Sequence, residues 1–303
     1  MRIQNNKILL SGLLLAGLAI TSCTKADKSD DFPEGDPPPV PGGYVNSSEV
    51  ADEDLVAHFT FDGTVDDAKG GVNGGATNGN TSWVEGVKGQ AYKGSTNGFI
   101  SYTTPGPIAT LKSFTVSMWI NTQKHIGGAQ GVFSLSKETT PTSFWGNFFM
   151  LIEGNDNASD NRMFMKLHFE NNTSGVDFKE HWIEPFGNFR PDNMYGGWRH
   201  VAWTYDAATS KAGFFVNGEK RALPEGAEDR KANSSDDPLG ELNFINATRF
   251  VIGAFPNQLG SPYNTPESWM LPYTGALDEF RIYDRSLTAQ EISALAVLER
   301  QGR

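Results

Sequence analysis

The chain has 303 residues, a formal net charge of −11 and a single cysteine. Excess negative charge repels phosphate backbones, so nucleic acid is not expected as a partner, and one cysteine cannot build a disulfide framework or a zinc-thiolate cluster. With 33 Gly, 16 Pro and 20 Phe and few long helical periods, the composition suits many strands joined by turns, and one all-β domain accounts for most of the length.

Arg2 and Lys7 precede an apolar run from Ile8 to Ile20, which has the length of a secretory signal and is too short to span a bilayer permanently. Ile20-Thr21-Ser22-Cys23 resembles the lipobox of bacterial lipoproteins, in which the cysteine becomes the lipidated first residue. An ordinary signal peptide with an incidental cysteine is the alternative, but the sole cysteine stands where the lipobox requires one. Residues 1–22 are therefore expected to be removed, and loss of Arg2 and Lys7 takes the charge from −11 to −13. Cys23 then attaches the mature chain to a membrane through lipid.

Residues 23–49 read as a tether. Thr24 to Asp36 are mostly polar or charged, Pro37-Pro38-Pro39 and Pro41 favour extended polyproline backbone, and Gly42-Gly43 releases it. Ser29-Asp30-Asp31 is similar to the acidic patch that sends lipoproteins to the cell surface in Bacteroidota, and it reads equally well as plain solvated linker. The expected location is the outer membrane or the cell surface.

The domain is expected over residues 50–303. DLVAHFTFDG (54–63) alternates Leu55, Ala57, Phe59 and Phe61 against its other positions before a turn at Asp62-Gly63. FTVSMWINT (114–122) sets Phe114, Val116, Met118 and Ile120 on one face, and WRHVAWTYD (198–206) does so with Val201, Trp203 and Tyr205. GFFVNGEKR (213–221) carries the hairpin dipeptide Asn217-Gly218, and RFVIGAF (249–255) is an apolar run broken at Gly253. The most legible stretch is GALDEFRIYDRSL (275–287), a strand with imperfect alternation, with Phe280 and Ile282 as packing residues. The capping-box pattern Thr288-x-x-Glu291 follows it, with Ile292, Leu295 and Leu298 at helical spacing.

In this order, these blocks resemble the laminin-G-like, concanavalin A-like jelly rolls of secreted bacterial proteins, over roughly residues 54 to 298. The resemblance implies an all-β sandwich of two curved antiparallel sheets, here closed by a short C-terminal helix. The chain departs from a minimal domain by insertions at 138–192, 222–247 and 256–272, and loops of that length are often functional.

Enzymes on this fold place paired carboxylates as Glu-x-Asp-x-Glu or Glu-x-Asp-x-x-Glu on one strand, and neither spacing occurs; Glu153 and Asp156 are spaced wrongly. No catalytic residue is therefore assigned, though carboxylates converging from separate strands remain an alternative. The five histidines lack metal-ligand spacing, and there is no Gly-x-Ser-x-Gly elbow or phosphate loop. Calcium is the expected cofactor, held by Asp62, Asp67 and Asp278 in a place where members of the resembled family often hold one structural ion. The competing reading makes Asp62 and Asp67 turn residues that bond locally.

Aromatic residues in the insertions suit a sugar site, because the C–H face of a pyranose stacks on a π-face while polar groups take its hydroxyls. Trp145, Trp182, Trp269, Tyr263, Asn147 and Arg190 are the candidate ligand-binding residues, with each ring equally readable as an anchor for its own loop. The expected function is non-catalytic glycan capture at the cell surface, beside glycan-processing enzymes or transporters. A glycoside hydrolase or lyase, or an adhesion module that binds protein, is the alternative.

Overall fold

The computed structural model describes residues 38–138, 145–173, 180–233 and 235–303, so the expected signal peptide, Cys23 and most of the tether lie outside the described residues. In chain order the strands are β1 (Leu55–Phe59), β2 (Asn73–Asn78), β3 (Ser82–Glu85), β4 (Gln90–Lys93), β5 (Phe99–Thr104), β6 (Phe114–Asn121), β7 (Ala129–Leu135), β8 (Phe148–Glu153), β9 (Met165–Glu170), β10 (Glu180–Ile183), β11 (Arg199–Asp206), β12 (Lys211–Val216), β13 (Glu219–Arg221), β14 (Phe250–Ile252), β15 (Met270–Pro272) and β16 (Ala276–Tyr283). One α-helix, α1 (Ala289–Arg300), follows β16.

The strands form two sheets of eight. The first runs β13-β12-β11-β6-β16-β4-β3, with β1 also on β16; the second runs β10-β9-β8-β7-β14-β5-β2, with β15 parallel to β7. Between them lies one aromatic-rich core. Phe59 packs with Tyr102, Phe250 and Phe280 at ring separations of 5.2 to 5.9 Å, which joins the two sheets through offset and tilted rings. Phe114, Val116, Met118 and Ile120 on β6 and Val201, Trp203 and Tyr205 on β11 all enter this core, as their alternation predicts. The Asn217-Gly218 hairpin has both residues at positive φ (53° and 82°), the backbone that a two-residue turn needs and that this dipeptide tolerates.

The imperfect alternation of 275–287 has a structural cause. The register of β16 against β6 shifts between Asp278 and Arg281, and Glu279 sits at φ 45°. This β-bulge changes the phase, so Leu277, Phe280 and Ile282 all face the core, while Arg281 and Tyr283 turn to the outer side. There α1 covers the sheet. Ile292, Leu295 and Leu298 pack with Leu55, Ala202, Phe215 and Tyr283, and Thr288 and Glu291 form the capping box reciprocally.

Beneath the helix lies a buried ion set. Arg281 donates from Nε to Glu299 Oε1 (2.8 Å) and from Nη2 to Glu279 Oε2 (2.5 Å), and Trp119 Nε1 donates to Glu299 Oε2 (2.8 Å). Residues 38–49, expected within the tether, pack on this same face. Val40 and Tyr44 rest against the α1 cluster, Arg303 Nε donates to the Val45 carbonyl (2.9 Å), and Ser47 Oγ donates to the Arg303 carbonyl (2.7 Å). The chain from Pro38 to Arg303 is one unit.

Candidate functional site

Among the described residues no α-helix covers the outer face of the second sheet, where the short 3-10 turn Pro256–Leu259 sets Leu259 against Phe99, Val251 and Ala254. On β8, Phe148, Met150 and Ile152 point into the core, which leaves Phe149, Leu151 and Glu153 outside; on β9, Lys166 and His168 alternate outward in the same way. Pairing aligns Phe149 with His168 and His168 with Trp182 of β10. Their rings form a shelf across three strands, with centroids 4.5 Å apart at each step.

Two loops add walls to this shelf. Trp145, just before β8, meets Trp182 edge-on at 5.4 Å and Trp269, just before β15, at 5.6 Å. The three tryptophans are partly buried on Ala129, Phe149, Leu151, Phe255 and Met270. They line one open pocket of about 610 Å³, with Gly127, Gly128, Glu153, Asp156, Lys166 and Glu184 completing it. That volume lies within the usual range of small-molecule sites.

The floor is charged. Lys166 Nζ lies 2.8 Å from Glu153 Oε1 and 3.2 Å from Glu184 Oε1, and 5.8 Å from the Trp182 ring centre. Burial pulls the Lys166 ammonium down, but hydrogen bonds and charge from Glu153 and Glu184 outweigh it, so its pKa is raised. Asp156 accepts from the Gly127 N–H (3.2 Å) at the rim. Within the shelf, His168 is fully buried with neither ring nitrogen hydrogen-bonded and Nε2 4.0 Å from Glu180 Oε2, and burial holds its pKa well below the usual value, so it is uncharged at neutral pH. The site therefore offers aromatic walls, carboxylate acceptors and one ammonium donor side by side.

Of the six candidate ligand residues, the structure brings Trp145, Trp182 and Trp269 together and places the other three elsewhere. Asn147 has no exposed surface; its Nδ2 donates to the carbonyls of Ser136 (2.7 Å) and Ile245 (2.8 Å) and its Oδ1 accepts from Ile245 N (3.1 Å), so it ties β8 to the 222–247 insertion. Tyr263 pins its loop through a hydroxyl contact with Thr248 Oγ1 (2.8 Å). Arg190 lies over the Phe164 ring at 4.2 Å.

The three aspartates divide between two turns. Asp67 accepts from the backbone N–H of His58 (2.8 Å), Lys69 (3.0 Å), Gly71 (2.8 Å) and Val72 (2.9 Å). Four donors use the lone pairs of both oxygens, and their positive ends surround the carboxylate where a cation would have to approach. Asp62 and Asp278 do meet at one place, the turn between β3 and β4. Asp62 Oδ1 accepts from Gln90 N (2.7 Å), and Asp278 Oδ2 accepts from Val87 N (2.6 Å) and Lys88 N (3.0 Å). Among the described residues no group of three His, Cys, Asp or Glu side chains is placed to hold a metal ion, so a calcium ion held by all three aspartates does not fit.

The family model for the concanavalin A-like lectin/glucanases superfamily matches residues 93–293. The chain belongs to that superfamily. As a member of it, the protein shares its fold with domain 4 of AbnA, an extracellular arabinanase from Geobacillus stearothermophilus solved with arabinotriose: 17% identity, TM-score 0.50, 80% of this chain and 98% of that one. It also resembles the binding domain of botulinum neurotoxin DC solved with rat synaptotagmin II (16% identity, TM-score 0.55, 82% of this chain and 52% of that one). A botulinum neurotoxin type C structure, titled for interaction with two ganglioside molecules, aligns with TM-score 0.54 at 14% identity over the same shares. This superfamily member thus spans about half the length of the toxin chains. No protein of curated function matches its sequence.

Lys166, Glu153 and Glu184 were not assigned to the site from sequence. A signal did exist: in MKLHFE the inward series Met165, Leu167 and Phe169 leaves Lys166 outward, and Glu184 lies two positions after Trp182. What joins them is pairing across β8, β9 and β10, which no local pattern displays.

Proposed function

We propose that this protein is a non-catalytic, carbohydrate-binding lipoprotein of the outer membrane or cell surface that holds a glycan for partner enzymes or transporters. The observation that carries the reading is the convergence of Trp145, Trp182 and Trp269 around one open pocket with the Glu153–Lys166–Glu184 floor. Indole faces stack on the C–H faces of a sugar, while the adjacent ammonium and carboxylates give a donor and acceptors to neighbouring hydroxyls. Anchoring through Cys23 rests on the lipobox-like sequence, and the superfamily's arabinanase domain solved with arabinotriose is a precedent for a sugar ligand on this fold. A glycan array tests the reading: the wild type retains at least one glycan, and Trp145→Ala and Trp182→Ala lose it; retention of none sinks it.

One observation favours a second reading, a glycoside hydrolase. Glu153 and Glu184 both reach the same Lys166 Nζ, at 2.8 and 3.2 Å, so their nearest oxygens are no more than 6 Å apart. Carboxyl groups at about 5 to 5.5 Å serve retaining hydrolysis. Against it, both carboxylates are engaged by the one ammonium between them. Release of reducing ends from a bound oligosaccharide, abolished in Glu184→Gln, would establish the hydrolase instead.

A further inference from the structure

We infer that the site extends across Trp182 into a second subsite, so that its ligand is a neutral oligosaccharide chain running along β10 and not a single terminal sugar. The inference rests on the glycan reading above. Beyond Trp182 lies a second cavity of about 440 Å³, lined by Glu180, His181, Trp182, Asp229, Arg230 and Lys231, among others. Trp182 lines both cavities.

The spacing follows from strand geometry. Glu180, Trp182 and Glu184 occupy alternate positions, and side chains two residues apart share one face of extended chain. Glu180 borders the second cavity, Trp182 both, and Glu184 the first. At about 3.3 Å per residue, roughly 13 Å of chain separates Glu180 from Glu184, more than one sugar ring occupies. Among the described residues β10 is the outermost strand of its sheet.

The dividing tryptophan is held in place from both sides. Its Nε1 donates to Glu180 Oε2 (3.1 Å), and its carbonyl accepts from Arg230 Nη1 (2.8 Å). With its only side-chain donor already bonded, the half-buried indole that lines both cavities has its apolar ring left to offer a ligand, which is what a stacking partner for sugars requires. Arg230 belongs to the 222–247 insertion, so all three insertions meet along this path.

Charge restricts the ligand class. Glu153, Asp156 and Glu184 face a single ammonium in the first cavity, while in the second Arg230 and Lys231 face Glu180 and an Asp229 that is paired with Lys211 (2.5 Å). The first cavity, with its acidic excess, repels uronate and sulfate groups, so the part of the chain that enters it is neutral.

The test uses gluco-, manno-, xylo- and arabino-oligosaccharides of one to six residues, together with oligogalacturonates of the same lengths, titrated calorimetrically against wild type and Lys231→Ala. The expected result is a neutral series whose affinity rises at least tenfold from the shortest bound member to the hexamer. Lys231→Ala should lose most of that rise yet bind the short sugar as wild type does, which also shows that it is folded. Affinity that stays flat with length, a Lys231→Ala variant that binds the hexamer normally, or preference for the galacturonates overturns the extended neutral groove while leaving the single pocket standing. Failure of every series to bind overturns the glycan reading and the groove with it.

Discussion

The two outer faces of the sandwich each carry a cation between two carboxylates, and they use the same chemistry to opposite ends. Under α1, Glu279–Arg281–Glu299 is sealed, with side chains at most 1% exposed. On the far sheet, Glu153–Lys166–Glu184 lies open, at 32, 19 and 34%. The difference comes from what covers each face. The C-terminal helix and residues 38–49 close the first, and the second carries a rim of tryptophans instead. A planar guanidinium suits the sealed set because its fixed fork reaches Glu299 from Nε and Glu279 from Nη2. A lysine suits the open one because its third N–H remains beyond the two carboxylates.

Breaking the sealed set should have the largest effect. Arg281→Met leaves Glu279 and Glu299 buried without their counter-charge, and a loss of about 3 to 5 kcal/mol in urea unfolding is expected. Next comes Asp67→Ala, which removes the acceptor of four backbone N–H groups; about 3 kcal/mol is expected, and the same loss with calcium or with chelator.

Acid sharpens the comparison through His200, buried beside Trp119 on the sealed side and hydrogen-bonded to Ser117 Oγ (2.8 Å). Burial lowers its pKa to about 3. Below pH 6.5 the unfolded chain protonates this imidazole and the folded one does not, so its contribution to stability falls as pH falls, by about 1.4 kcal/mol per unit, until pH approaches 3. Wild type should therefore lose stability relative to His200→Gln between pH 6.5 and 4.5, which paired unfolding curves at each pH would show. The smallest change in stability belongs to Lys166→Met, about 1 kcal/mol or less for a partly exposed ion set, and its main effect should be a several-fold loss of glycan affinity.

How much the sequence disclosed also differs between the faces. The sealed side was legible because its signals are local: alternation on β6 and β11, a capping box at Thr288, and apolar spacing through α1. Even there the bulge at Glu279 showed only as broken alternation, since its cause is the pairing with β6. On the open side, Trp145, Trp182 and Trp269 were identifiable as aromatic residues in long insertions. Asn147 and Tyr263 were candidates by the same reasoning, yet tertiary contacts turned them into ties between loops. The floor of the pocket depends on cross-strand register, and Arg230 on an insertion folding back to Trp182, neither of which sequence spacing encodes. Asp67 read as a turn residue as well as a ligand, and its four backbone donors show the turn role at work.

The central claim is that the open aromatic face binds glycan. It is tested most directly by screening purified wild type and Trp182→Ala side by side on one glycan array, with thermal melts of both. The account expects at least one neutral glycan bound by wild type and lost by a variant that melts within a few degrees of it. Glycan binding that survives Trp182→Ala unchanged, or wild type that binds no glycan at all, would contradict it.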